Sequence, residues 1–207
     1  SRLFNLTANT VFVSFTASVI IIIIAVYFQF IKRIIRNKTI SIFNEAISLT
    51  YALPGAVIGL ALIIMFTSTP LKSEIMIGSF SLLIYAYVMR YMAVGISPLK
   101  TSFEKHPNTY DDAAYSLGMG PLKLFRTIHF PINKSAIAIA FLITFVDIIK
   151  ELPITLILSP FNFDTLAVQT YQYAVDEMIP KSAIYSLTIV VLLSLIHISE
   201  PTRPREI

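Results

Sequence analysis

"TYDDAAYSLGMGPLKLFRTIHFP", residues Thr109–Pro131, decides how this chain is read. It is a polar island in an oily sequence. Thr109 is placed to cap a helix, and Asp112 three residues on completes a Thr-x-x-Asp capping box. Asp111 and Asp112 also suit the positive end of a helix dipole. The helix is expected to run to Leu117 and to end with Gly118 in the left-handed C′ position. Gly120-Pro121 then starts a second short helix with proline at its favoured first position. Leu122, Phe125 and Ile128 fall on one face of it, and Pro131 is expected to stop it. Ala113 and Ala114 are small enough to let a partner's surface approach. On its own the pattern leaves two readings open, an amphipathic loop on a membrane surface or a docking element.

The surroundings make it a membrane question. Of 207 residues, 56% are hydrophobic and 14% charged, and mean hydropathy is +0.75. A soluble domain of this size cannot bury that much apolar surface. Leu3 to Ile31 and Ala46 to Leu71 carry no charge, and each exceeds the roughly 20 residues that cross a hydrocarbon core about 30 Å thick. The net charge of +4 reads as lysine and arginine on cytoplasmic loops rather than as a nucleic-acid footprint. Without cysteine there are no disulfides and no thiolate metal sites.

Spans are expected near 11–31, 47–67, 75–96, 135–157 and 183–192. Pro54-Gly55, in "YALPGAVIG", predicts a kink or hinge in the second. Basic residues put the loops 32–45 and 97–134 inside; the turn 68–74 and the acidic stretch 159–182 fall outside. The N-terminus is then outside, so another helix is expected before Ser1, and no signal peptide is visible. "LSLIHISEPTR" (Leu193–Arg203) is similar to a translated transposase sequencing adapter. Residues 193–207 are therefore expected to be non-native, with the fifth span truncated and His197 without functional weight.

Asp112-Ala113-Ala114, Gly118, Ile128 and Pro131 together resemble the E-A-A-x3-G-x9-I-x-L-P signature of ABC importer permeases. Aspartate replaces its glutamate and Phe130 its leucine. In that family the stretch is a coupling helix that docks on the ATP-hydrolysing subunit. "KELP" followed by "PFNFDTLA" (Lys150–Pro153, Pro160–Ala167) is similar to the C-terminal half of iron(III)-type members, in which two such halves are fused. The resemblance implies an all-α polytopic membrane protein: a five-helix type I importer core over 1–192, with coupling helices at 109–130 between the third and fourth spans. It also implies a multi-pass place in a bacterial cytoplasmic membrane. The implied partners are a dimer of ABC ATPase subunits, an extracytoplasmic solute-binding protein and the missing permease half. ATP and Mg would sit on the ATPase partners, with no cofactor and no metal on this chain. Asp112, Ala113, Ala114, Gly118, Ile128 and Pro131 would carry the coupling. Cargo other than iron (thiamine, polyamine, phosphonate) and a secondary transporter with an imitative loop are the alternatives.

Asp147, Lys150 and Glu151 lie at helical spacing i, i+3 and i+4, so an ion pair within the helix is one reading. Charges at membrane depth also mark bundle interiors and water-filled paths. These three, with Arg90 and Pro153, are candidates for a translocation path or gate. Arg90 either pairs with one of the acids or snorkels to the interface. His106 and His129 lack metal-ligand spacing. Tyr85, Tyr87, Tyr91, Tyr171 and Tyr173 read as packing or interfacial residues, and Asp164 as a turn cap. No GxxxxGK followed by Ser or Thr occurs, so ATP hydrolysis falls to another subunit, and no nucleophile–base constellation suggests an enzyme.

Overall fold

The computed structural model describes residues 2–35, 37–68 and 78–198, and all regular structure among them is helical. Helix α1 (Arg2–Ile35) contains the charge-free run. Its 34 residues rise roughly 50 Å at 1.5 Å each, longer than a bilayer core and long enough to set Arg2 past one end and Lys32 and Arg33 past the other. α4 (Phe80–Lys105) and α7 (Phe130–Ile149) pack on it. Their interface buries Ala17, Ile21 and Ala25 of α1, Leu82, Leu83, Ala86 and Tyr87 of α4, and Ala140 and Ile148 of α7. Lipid tails give helices little hydrophobic drive to associate, so close backbone approach matters. Gly95 provides it: a Cβ there would lie 2.7 Å from Ile21 Cγ2.

Two of the expected spans are broken. Between α2 (Lys38–Ser48), a 3₁₀ turn (Thr50–Ala52) and α3 (Gly55–Ser68) the chain bends by 107°. The single kinked span expected at 47–67 is thus a sharp elbow with an added amphipathic helix before it. The cause is local: Pro54 forces Leu53 out of the helical region, to φ −75° and ψ 132°. The span expected at 135–157 likewise divides, because α7 stops at Ile149 and α8 (Pro153–Leu158) restarts at a proline. α3 and α8 then pack together, with a Cβ on Gly59 meeting Ile157 Cγ2 at 3.2 Å.

The polar island is more helical than a loop. α4 runs on through Pro98 to Lys105; α5 (Thr109–Ser116) and α6 (Pro121–Leu124) follow, and a π-helical turn (Phe125–His129) leads into α7. Pro131 does not stop the second helix. The wide turn, in which Phe130 N–H bonds to the Phe125 carbonyl, adds a residue ahead of the proline, and a widened turn accommodates a missing N–H and a crowded ring. Residues 121–149 therefore form one long apolar helix, far ahead of the start expected near 135.

On the far side α9 (Leu166–Val175) fills part of the expected outer stretch, and α10 (Ile179–Ile198) overlaps the expected fifth span. The cap of α9 is Thr165, which accepts from Val168 N–H. α9 is tied to the start of α1: Thr10 Oγ1 accepts from Leu166 N–H at 2.9 Å, and Arg2 donates to Gln169 at 2.6 Å. Among the described residues α1, α4 and 121–149 are long and apolar enough to cross a membrane, the bent α2–α3 pair is a fourth candidate, and α10 is apolar but shorter. The expected turn beyond Ser68 and residues 199–207 lie outside the described residues.

Candidate functional site

α5 ends as its glycine requires. Gly118 has φ +75°, Gly118 N–H bonds to the Tyr115 carbonyl at 2.9 Å and Met119 N–H to Ala114 at 3.0 Å. These are the two bonds of a Schellman motif. Its start differs from the expected capping box. Asn108, not Thr109, is the cap residue, sits in helical geometry and makes no side-chain cap bond. Thr109 is already the first helical residue, so the box has no acceptor where it needs one.

The anchoring comes from Asp111. Arg33 Nε donates to Asp111 Oδ2 at 2.7 Å, and His129 Nε2 lies 2.7 Å from Asp111 Oδ1. Against an ionised carboxylate that ring nitrogen carries the proton. Arg33 also donates to the carbonyls of Phe103 (2.6 Å), His106 (3.0 Å) and Pro107 (2.8 Å), capping the C-terminal end of α4. Phe103 and Phe30 flank the His129 ring at 5.6 and 5.5 Å. Burial, with the charges of Arg33 and Lys105, holds the nearby His106 below its ordinary pKa. In the sequence Asp111 reads as a dipole partner and His129 as an isolated histidine. Nothing in their spacing reveals that they meet 18 positions apart, since the contact depends on the turn at Gly118.

The other face of α5 is open. Tyr110 is 45% and Leu117 77% exposed, with Asp112 and Ala113 exposed between them. Ala114 is 2% exposed and packed inward, so close approach from outside falls to Ala113 rather than to both alanines. Ile128 is half-buried in the π turn, and Pro131 is exposed on the first turn of α7.

A second cluster joins the two helix breaks. Glu151 is buried; its Oε1 accepts from Ile154 N–H at 3.1 Å, capping α8, and its Oε2 accepts from the Tyr91 hydroxyl. Arg90 Nε lies 3.6 Å from Oε2, within charge contact and beyond hydrogen-bond range, while Nη1 donates to the Leu53 carbonyl at 2.5 Å. Arg90 also stacks over Tyr51 and Tyr91 at 5.8 and 5.7 Å. It therefore pairs with an acid rather than snorkelling. Gly55 sits against this cluster, where a Cβ would lie 2.8 Å from Glu151 Oε1. Pro153 begins α8 directly after it.

Asp147 and Lys150 are separate from that clasp and pair with each other at 2.8 Å. Asp147 borders a cavity of about 430 Å³ together with the hydroxyl-bearing Ser48, Tyr51 and Ser97. Those three were not singled out in the sequence, because residues from α2, the 3₁₀ turn and α4 meet there only after the elbow folds. Among the described residues no group of three or more His, Cys, Asp or Glu side chains could hold a metal ion.

An all-helical bundle with several membrane-length helices, and a buried ionic clasp between two broken ones, is that of a multi-pass membrane protein. Comparison with known proteins agrees. The chain is 30% identical over 142 residues to the Fe(3+)-transport system permease protein FbpB 2 of Haemophilus influenzae, covering 69% of this chain and 28% of that one. It is 33% identical over 92 residues to the maltose/maltodextrin transport system permease protein MalG of Vibrio vulnificus, covering 44% of this chain and 31% of that one. The MalG of Escherichia coli K12 is 32% identical over 91 residues. The chain is thus homologous to ABC importer permeases and spans about three-tenths of the length of these relatives. No family model matches it.

Proposed function

We propose that this chain is part of the transmembrane permease subunit of an ATP-driven importer in a bacterial cytoplasmic membrane, with ferric iron as cargo. ATP and Mg would be held by partner ATPase subunits, a binding protein would deliver the cargo, and a second permease half would complete the path. The observation that carries the reading is the two-faced α5: its inner face is pinned by Asp111 and Ala114, and Tyr110, Ala113 and Leu117 are presented outward on the basic side. An exposed apolar surface on an anchored helix, beyond the membrane, suits a protein partner. Ile128 and Pro131 lie at the joint where that helix pair enters α7.

Motion of α5 would tilt the spans between outward- and inward-open states, around a path lined in part by Asp147 and Lys150. The buried Arg90–Glu151 clasp, with Pro54, Gly55 and Pro153 at the helix breaks, would be the gate element. Iron as cargo rests on the similarity to the Fe(3+)-transport permease. The maltose permeases support a second reading, the same machinery with another solute. Reconstitution with the ATPase and binding-protein subunits, followed by ATP-dependent uptake of labelled ferric iron, tests both. ATP-dependent uptake establishes importer and cargo together. Hydrolysis stimulated by the binding protein without iron uptake leaves the importer and removes the iron. Uptake driven by a proton gradient without ATP overturns the importer reading.

A further inference from the structure

We propose that Arg33, Asp111 and His129 are positioning residues that transmit displacement of α5 into α1, α4 and α7. The inference rests on α5 being the ATPase-docking element. The covalent route from α5 to α7 passes through Gly118 and Gly120, where a Cβ would find nothing within 4 Å, so neither position is wedged against a neighbouring element. The noncovalent route is stiff. Asp111 bonds Arg33 with one carboxylate oxygen and His129 with the other. Arg33 adds three carbonyl acceptors at the end of α4. Its side chain is 7% and that of His129 2% exposed, so water competes little for the two bonds to Asp111.

The π turn fits this role. His129 is the last residue of the widened turn and is buried, as is Leu124 five residues before it. The extra residue brings both onto the inner face, and π turns inside α-helices recur at functional positions. Beyond the turn the chain of contacts continues: Asn133 donates to the His129 carbonyl at 2.7 Å and accepts from Ser102 of α4 at 2.7 Å. A push on α5 therefore reaches three spanning helices through directional bonds, each satisfied in one geometry.

The test uses the complete transporter, with its ATPase and binding-protein subunits, in proteoliposomes. The stretch described here has no cysteine, so Ser116→Cys, at an exposed position on α5, introduces a thiol beside the docking face for photo-crosslinking to the ATPase. If that crosslink does not form with Asp111 intact, the docking reading fails and this inference falls with it. With docking established, Asp111→Asn keeps the shape and removes the charge facing Arg33. The expected result is a retained crosslink, ATP hydrolysis near its original rate, and a loss of uptake per ATP. Asp111→Glu should recover part of that ratio. Unchanged uptake per ATP with the crosslink intact, including a parallel fall of uptake and hydrolysis, overturns the inference while leaving docking in place. Should Asp111→Asn fail to assemble, His129→Gln is judged by the same ratio.

Discussion

Arg90 and Glu151 meet between two helix breaks, with the guanidinium Nε 3.6 Å from the carboxylate Oε2. Each also serves its own break: Arg90 satisfies the Leu53 carbonyl ahead of Pro54, and Glu151 caps the helix begun by Pro153. In a bilayer the backbone groups freed at a proline must find partners within the protein. One ion pair does this for both bends, which explains why two charges are kept inside an apolar bundle.

Removing one member of that pair should be costly. Glu151→Leu is expected to destabilise the protein by about 3–5 kcal/mol, because Arg90 is left without a counter-charge. Glu151→Gln should cost less, since its amide oxygen still accepts from Ile154 N–H. Thermal unfolding of the purified protein in detergent separates the two, and a wild-type midpoint for both variants would refute a charge-based clasp.

Gly55 should tolerate no side chain. Gly55→Ala places a methyl 2.8 Å from Glu151 Oε1 and 3.2 Å from Ile154 Cγ1, and overpacking of this kind costs about 1–3 kcal/mol. Gly120→Ala, with nothing within 4 Å, is the matched control. Indistinguishable unfolding curves for the two would mean that α3 and α8 are less closely held than the geometry indicates.

Gly118 presents the opposite case, open space with a demanding backbone. A Cβ there touches nothing, but φ is +75°, a conformation that costs a side-chain-bearing residue about 1–2 kcal/mol. Gly118→Val should insert normally yet lose transport relative to ATP hydrolysis, and Gly118→Asn should be milder because asparagine tolerates this region. Wild-type uptake by the valine variant would remove the Schellman turn from the coupling argument.

Asp147 and Lys150 should matter little for folding. Lys150 has a side chain 57% exposed, and exposed pairs contribute about 0–1 kcal/mol. Asp147→Asn is therefore expected to leave the unfolding temperature nearly unchanged while lowering uptake. Normal uptake by that variant would argue against Asp147 lining the path; a large fall in stability would mean the pair is structural.

The sequence by itself determined the membrane class, the charge-free run inside α1, the bend at Pro54-Gly55 and the glycine that ends α5. All of these follow from composition, span length or backbone geometry, which are local properties. Only the tertiary structure decided which charges meet. Asp147 pairs along its own helix, as helical spacing allows, but Glu151 turns away to Arg90, 61 positions earlier, because the chain breaks at residues 150–152. Asp111 likewise reaches Arg33 and His129 only once the Gly118 turn and the π turn have set the angle between α5 and α7. Pairings across folded helices depend on the direction of each break, and a one-residue change in a turn redirects every side chain beyond it.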